Sequence, residues 1–105
     1  MKNNIYRLLG LARRAGKVSF GSEACIDAIE RNKAKLVIIA EDASEKTKKN
    51  FEELCKKRNV VIKKIGTTDE LSKSIGQNNK VIVVVRDENF AKEIIKRIDG
   101  GEIIG

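Results

Sequence analysis

Glu41 and Asp42 stand side by side directly after the apolar run Leu36-Val37-Ile38-Ile39-Ala40. The ends of strands are where α/β sheets often place functional acids, and an acidic pair there can hold Mg²⁺ for phosphoryl chemistry. The other strand ends supply only Lys64 and Arg86-Asp87. No third acid, hydroxyl and lysine complete a reaction centre, so helix capping is the plainer role for Asp42. The chain contains no histidine, which removes the usual general base, Ser-His triads and histidine metal sites. Its two cysteines, Cys25 and Cys55, are half of a four-ligand zinc site. Both fall on apolar helical faces and read as buried thiols acting as small hydrophobes, not as a disulfide. No catalytic residue, metal or cofactor is therefore expected.

The remaining chemistry is that of holding an anion. Gly21-Ser22-Glu23 opens a helical stretch, and a helix start offers unpaired N–H groups and partial positive charge to an anion. Gly21 leaves no Cβ in the way of a close approach, while Ser22 can cap the helix or turn its hydroxyl outward. Taken alone, Gly-Ser is an ordinary turn and cap. Lys17, Arg31, Lys33 and Lys35 surround this helix in sequence, as phosphate contacts or as a solvated basic rim. Gln77-Asn78-Asn79-Lys80 has amide donors and acceptors suited to base edges and 2′-hydroxyls, and is equally an ordinary polar connection. Lys56-Lys57-Arg58 lies at a helix C-terminus, where cations are favoured by the dipole.

The elements that must position these residues follow from periodicity. Ile5, Leu8, Leu9 and Ala12 mark an amphipathic helix over about residues 4–15, with Arg13, Arg14 and Lys17 near its end at Gly16. Val18-Ser19-Phe20 alternates like a short strand. Ser22 is the expected N-cap of a second helix with Cys25, Ala28 and Ile29 inward and Asn32 at its end. Leu36-Val37-Ile38-Ile39-Ala40 and Val81-Ile82-Val83-Val84-Val85 are continuous apolar runs, suited to strands covered on both faces.

A third helix, capped by Asp42 or Ser44, buries Phe51, Leu54 and Cys55, and residues 60–65 form a weaker strand. Thr67-Thr68-Asp69-Glu70 has capping-box spacing and opens a short helix bearing Leu71 and Ile75. A last helix over about residues 88–98 carries Ala91, Ile94, Ile95 and Ile98 at helical spacing, followed by Asp99-Gly100-Gly101 and a flexible tail. Helices interleaved with apolar strands predict one α/β domain spanning 1–105, a sheet sandwiched between helical layers.

The balance of 22 Lys+Arg against 15 Asp+Glu gives a formal charge of +7 and a pI near 9.6. Such an excess attracts polyanions, although lysine-rich solubility is the simpler explanation. Met1-Lys2-Asn3-Asn4 precedes an amphipathic pattern and not an apolar block, and no apolar run approaches a ~20-residue span, so no membrane and a cytoplasmic location are expected. The four aromatic residues are Tyr6, Phe20, Phe51 and Phe90. No strand carries the aromatic pair of a base-stacking reader, which favours recognition by shape and edges.

The stretch from Gly21-Ser22-Glu23 through Ala28-Ile29-Glu30-Arg31-Asn32-Lys33-Ala34-Lys35 into Leu36-Val37-Ile38-Ile39-Ala40-Glu41-Asp42 resembles the ribosomal protein L-seven-Ae / L-thirty-e superfamily. Leu54-Cys55-Lys56-Lys57-Arg58-Asn59-Val60 and Glu70-Leu71-Ser72-Lys73-Ser74-Ile75-Gly76 look like later signatures of that family. Leu8-Leu9-Gly10-Leu11-Ala12-Arg13-Arg14-Ala15-Gly16-Lys17 looks most like its bacterial YlxQ branch. The resemblance runs in order from about Leu8 to Ile98. It implies a three-layer α-β-α sandwich with a four-stranded mixed sheet, and a monomeric protein that binds kink-turn or ribosomal RNA. Its implied RNA surface joins the helix start at Ser22 to the loop of residues 76–81. The family motif Gly-x-Asn-Glu-x-x-Lys falls on Gly21, Glu23, Ala24 and Asp27, so only the glycine is kept. Glu23 can still accept a guanine N–H, whereas Asp27 would repel phosphate. A module that docks a protein partner of the translation or transcription machinery is the competing reading.

Overall fold

The two apolar runs become the inner strands of a sheet because their alternate side chains can all be buried, half on each face. The computed structural model describes residues 4–100. Its elements are α1 (Asn4–Arg14), β1 (Val18–Phe20), α2 (Ser22–Glu30), β2 (Leu36–Ile39), α3 (Glu45–Arg58), β3 (Ile62–Lys64), α4 (Thr68–Ser74), β4 (Ile82–Val85) and α5 (Glu88–Asp99). The sheet order is β1-β4-β2-β3, with β4 antiparallel to both β1 and β2, and β2 parallel to β3.

Every residue of β2 and β4 is buried. Leu36, Ile38, Val83 and Val85 pack with Ile5, Leu9, Leu71 and Ile94 on the α1, α4 and α5 side. Val37, Ile39, Ile82 and Val84 pack with Cys25, Ile29, Phe51 and Cys55 on the α2 and α3 side. The chain is thus an α/β three-layer sandwich around a four-stranded mixed sheet. Both cysteines are fully buried and unpaired; burial pushes the Cys25 thiol up to about 12 and the Cys55 thiol up to about 11.

Local chemistry sets the helix ends. Thr67 and Glu70 form the reciprocal capping box, each side chain accepting from the other's backbone N–H at 3.1 Å. Ser44, not Asp42, caps α3, its hydroxyl accepting from Thr47 N–H at 3.1 Å. Asp87 caps α5 through Phe90 N–H at 2.8 Å. The weaker strand is shorter than expected: Val60 and Val61 lie before β3. Among the described residues, no helix is long and apolar enough to cross a membrane. Met1-Lys2-Asn3 and the expected tail after Gly100 lie outside the described residues.

Candidate nucleic-acid interface

Topology gathers one group of the expected residues at one end of the sheet. β1 runs toward that end and hands directly into α2, while β4 starts there and β2 finishes there: Phe20 pairs with Val83, and Ile39 with Ile82. Gly21 N–H donates to Ile82 C=O at 3.3 Å, which ties the start of α2 to the start of β4. Gly21, Ser22 and Glu23 therefore adjoin the connection formed by Gln77, Asn78, Asn79 and Lys80.

The start of α2 differs from the expected cap. Gly21, not Ser22, is the N-cap, with φ 86° and ψ 153°, and no side chain closes the first turn. Ser22 is instead the first helical residue and is exposed, as are Glu23 and Ala24. The reason is geometric: the sharp exit from β1 takes a positive-φ backbone that favours glycine, and the cap position falls on it. The first-turn N–H groups thus face outward with no capping side chain, the arrangement that accepts an anion or a base acceptor.

The neighbouring loop is held by a residue that the sequence reading passed over. Ser72 is 2% exposed, the one polar side chain in the core among the described residues. Its hydroxyl accepts from Lys80 N–H at 2.7 Å and lies 3.1 Å from Lys80 C=O, while its backbone carbonyl accepts from Gln77 N–H at 2.8 Å. One buried serine therefore pins both ends of residues 77–80. Asn79 stands at φ 56°, a left-handed turn that asparagine tolerates. Asn78 and Asn79 are exposed and Gln77 is partly so. The signal for Ser72 was its place one residue after Leu71 and three before Ile75, a hydroxyl on an apolar stripe.

Phe20 joins this loop to the first helix. Lys80 Nζ lies 5.8 Å and the Arg13 guanidinium 5.2 Å from the centroid of its ring. Each is a cation–π contact, which keeps two positive charges beside the α2 start. On the other flank, Asp42 Oδ1 accepts from Thr68 N–H at 2.8 Å and from its hydroxyl at 2.7 Å. These Thr68 bonds, hydroxyl first, lower the carboxyl below its ordinary range. Asp42 is thereby committed to fixing the start of α4, and no group of three or more metal-ligating side chains occurs among the described residues.

Four of the expected basic contacts lie elsewhere. α2 runs away from the Gly21 corner, so its nine residues put Arg31 roughly 13 Å further along the helix. Lys33 and Lys35 follow Arg31 into β2, and Lys35 N–H donates to Val85 C=O at 2.8 Å, at the far end of the sheet. Lys17 is there too, its carbonyl accepting from Arg86 N–H at 2.8 Å. Arg31 is engaged by Asp27 at 2.7 Å, an exposed pair one helical turn apart. The Asp27 carboxylate, expected to repel phosphate, is thus countered by a neighbouring guanidinium.

The model of the ribosomal protein L7Ae/L30e/S12e/Gadd45 family matches residues 3–96. The chain belongs to that family. Within this L7Ae/L30e family relationship, it is 40% identical over 94 residues to a Bacillus subtilis (strain 168) protein named RNA-binding protein YlxQ, covering 90% of this chain and 94% of the relative. A protein of the same name from Enterococcus faecium is 40% identical over 93 residues, covering 89% of each. A solved structure, described as a protein with unknown function from Bacillus halodurans C, superposes with a TM-score of 0.88 at 31% identity. That superposition covers 91% of this chain and 97% of the other.

Proposed function

We propose that this chain is a non-enzymatic, monomeric RNA-binding protein that recognises kink-turn or similarly structured RNA and associates with ribosomes in the cytoplasm. The observation that carries the reading is the open start of α2 at Gly21, bonded to the start of β4 and flanked by an amide loop and two cations on Phe20. The naming of two 40%-identical relatives as RNA-binding proteins supports it.

In this reading the first-turn amides of Ser22, Glu23 and Ala24 meet an RNA phosphate or base acceptor. Glu23 accepts from a guanine imino or amino group, taking over that task by a shift of one residue. Gln77, Asn78 and Asn79 address base edges and 2′-hydroxyls, and Lys80 supplies phosphate contact without reading sequence. Beyond the end of β2, Asp42 is engaged by Thr68 at the start of α4, which supports a structural role for that carboxylate.

The test is a titration of labelled kink-turn RNA against a matched plain duplex at increasing salt. A specific binder keeps its preference for the kinked RNA as salt rises. Equal and steeply salt-sensitive affinity for both leaves only generic polyanion attraction. Binding to neither overturns the reading in favour of a protein partner.

A further inference from the structure

Between α1 and α4 lies a concavity of about 380 Å³ whose walls include Gly10, Arg13, Arg14, Lys73 and Gly76. The missing side chain at Gly10 lets the helices meet closely, since a Cβ there would stand 3.0 Å from Ser74 C=O. Three of the lining residues are cationic. Lys73 is shared with Asp69 at 3.3 Å, whereas Arg13 and Arg14 have no ion pair among the described residues.

A structural explanation for these cations is available: Arg13 and Arg14 end α1 and Lys73 ends α4, where the helix dipole favours positive charge. That account leaves one atom over. Arg13 Nε is enclosed by protein and donates to nothing among the described residues. A buried guanidinium donor is costly to leave unmade, and here it bonds no helix carbonyl. The Arg13 guanidinium lies 5.2 Å from the centroid of the Phe20 ring, and Phe20 immediately precedes Gly21. One wall of the concavity, Arg13, thus reaches Phe20 beside the α2 corner, and another, Gly76, leads into the loop that ends at Lys80.

We propose that this concavity is a phosphate-binding subsite, in which Arg13 and Arg14, assisted by Lys73, hold a backbone phosphate of the RNA strand passing beyond the α2 corner. The chemistry is that of a phosphate oxyanion, and guanidinium donors match it better than ammonium groups do. This inference rests on the RNA-binding reading above and extends its footprint from α2 and the loop to α1 and α4.

Kink-turn RNA is titrated, over a range of salt, into the wild type and into Arg14→Gln, Arg13→Gln, Arg13→Lys and Lys73→Gln, with the exposed α3 substitution Lys57→Gln as control. Each subsite variant to glutamine should weaken binding roughly three- to tenfold and lower the slope of log affinity against log salt by about 1. Preference for the kinked RNA should persist, because a phosphate contact reads no sequence. Arg13→Lys keeps the charge but loses the forked donors of the guanidinium. It should fall between wild type and Arg13→Gln, and unaltered melting of Arg14→Gln guards against misfolding. In a parallel arm, inorganic phosphate is titrated while the Gly10 and Gly76 amide resonances are followed.

Wild-type RNA affinity in all the subsite variants overturns the proposal and leaves the corner reading intact. Saturable phosphate shifts with unchanged RNA affinity assign the site to a free small phosphate and overturn it equally. Absence of RNA binding by the wild type overturns both readings together.

Discussion

Ser72 shows how one hydroxyl can hold a surface loop in shape. It is buried under residues 77–80 and engages both the N–H and the C=O of Lys80. Ser72→Ala removes the acceptor for Lys80 N–H, and leaving such a donor unpaired costs about 1–3 kcal/mol. The variant should unfold at correspondingly lower urea, and the Lys80 amide should exchange with solvent much faster than in wild type. An unchanged exchange rate would show that the loop is held by something else.

The pair Asp27 and Arg31 makes a second residue-scale case. Asp27→Lys releases Arg31 and places a cation where the family motif has one, so kink-turn RNA should bind roughly three- to tenfold tighter at moderate salt. Filter binding of the variant beside wild type checks this, and a weaker complex would mean that the RNA lies across a different face. Gly21 is a third case. An added Cβ at Gly21 meets no atom within 4 Å, so Gly21→Ala is opposed only by its backbone at φ 86°, at roughly 1–3 kcal/mol. A denaturant melt should register that loss without any cavity or clash to account for it.

At the scale of elements, most of the architecture was legible because the signals are local. Ala91, Ile94 and Ile98 recur at helical spacing, the capping box of Thr67 and Glu70 is written in consecutive residues, and β2 and β4 are unbroken apolar runs. The position of the α2 start was legible for the same reason, although its cap fell one residue earlier, on Gly21. Less visible were contacts between residues far apart in the chain. Nothing in the neighbourhood of Arg13, Phe20 or Lys80 tells that one ring lies under both cations, since that depends on how β1 and β4 pair. Lys17, Arg31, Lys33 and Lys35 lie away from Gly21 for a related reason: closeness in sequence ignores the lengths of β1, which separates Lys17 from that corner, and of α2, which separates the other three. Gly10 belongs to this scale as well. Gly10→Ala would press its methyl against Ser74 C=O, so α1 should shift on α4 and stability should drop by about 1–3 kcal/mol, read by thermal melting.

At the scale of the whole molecule, a formal charge of +7 sets long-range attraction for polyanions, while the proposed site at Gly21 is local. The same layered interior makes stability sensitive to alkali. Burial holds Cys25 at about 12 and Cys55 at about 11, well above an unfolded thiol, so the folded state keeps both protonated after the unfolded chain has begun to ionise. Their contribution is complete below the unfolded value and is lost as pH climbs through the folded ones. Urea midpoints should therefore decline above about pH 9, and more gently in the Cys25→Ala, Cys55→Ala double variant. A slope that the double variant leaves unaltered would assign the decline to other groups.

The shortness of β1 has a consequence for motion. β2 and β4 lie inside the sheet and are clothed by helices on both sides, whereas β1 is a three-residue margin bonded along one flank only. Deuterium should enter the amides of Val18 to Phe20 through small local openings, long before it reaches Val37 or Val84, which become accessible only when the whole chain comes apart. The α2 start hangs from that margin, so the corner proposed to meet RNA is also joined to the part of the sheet freest to breathe.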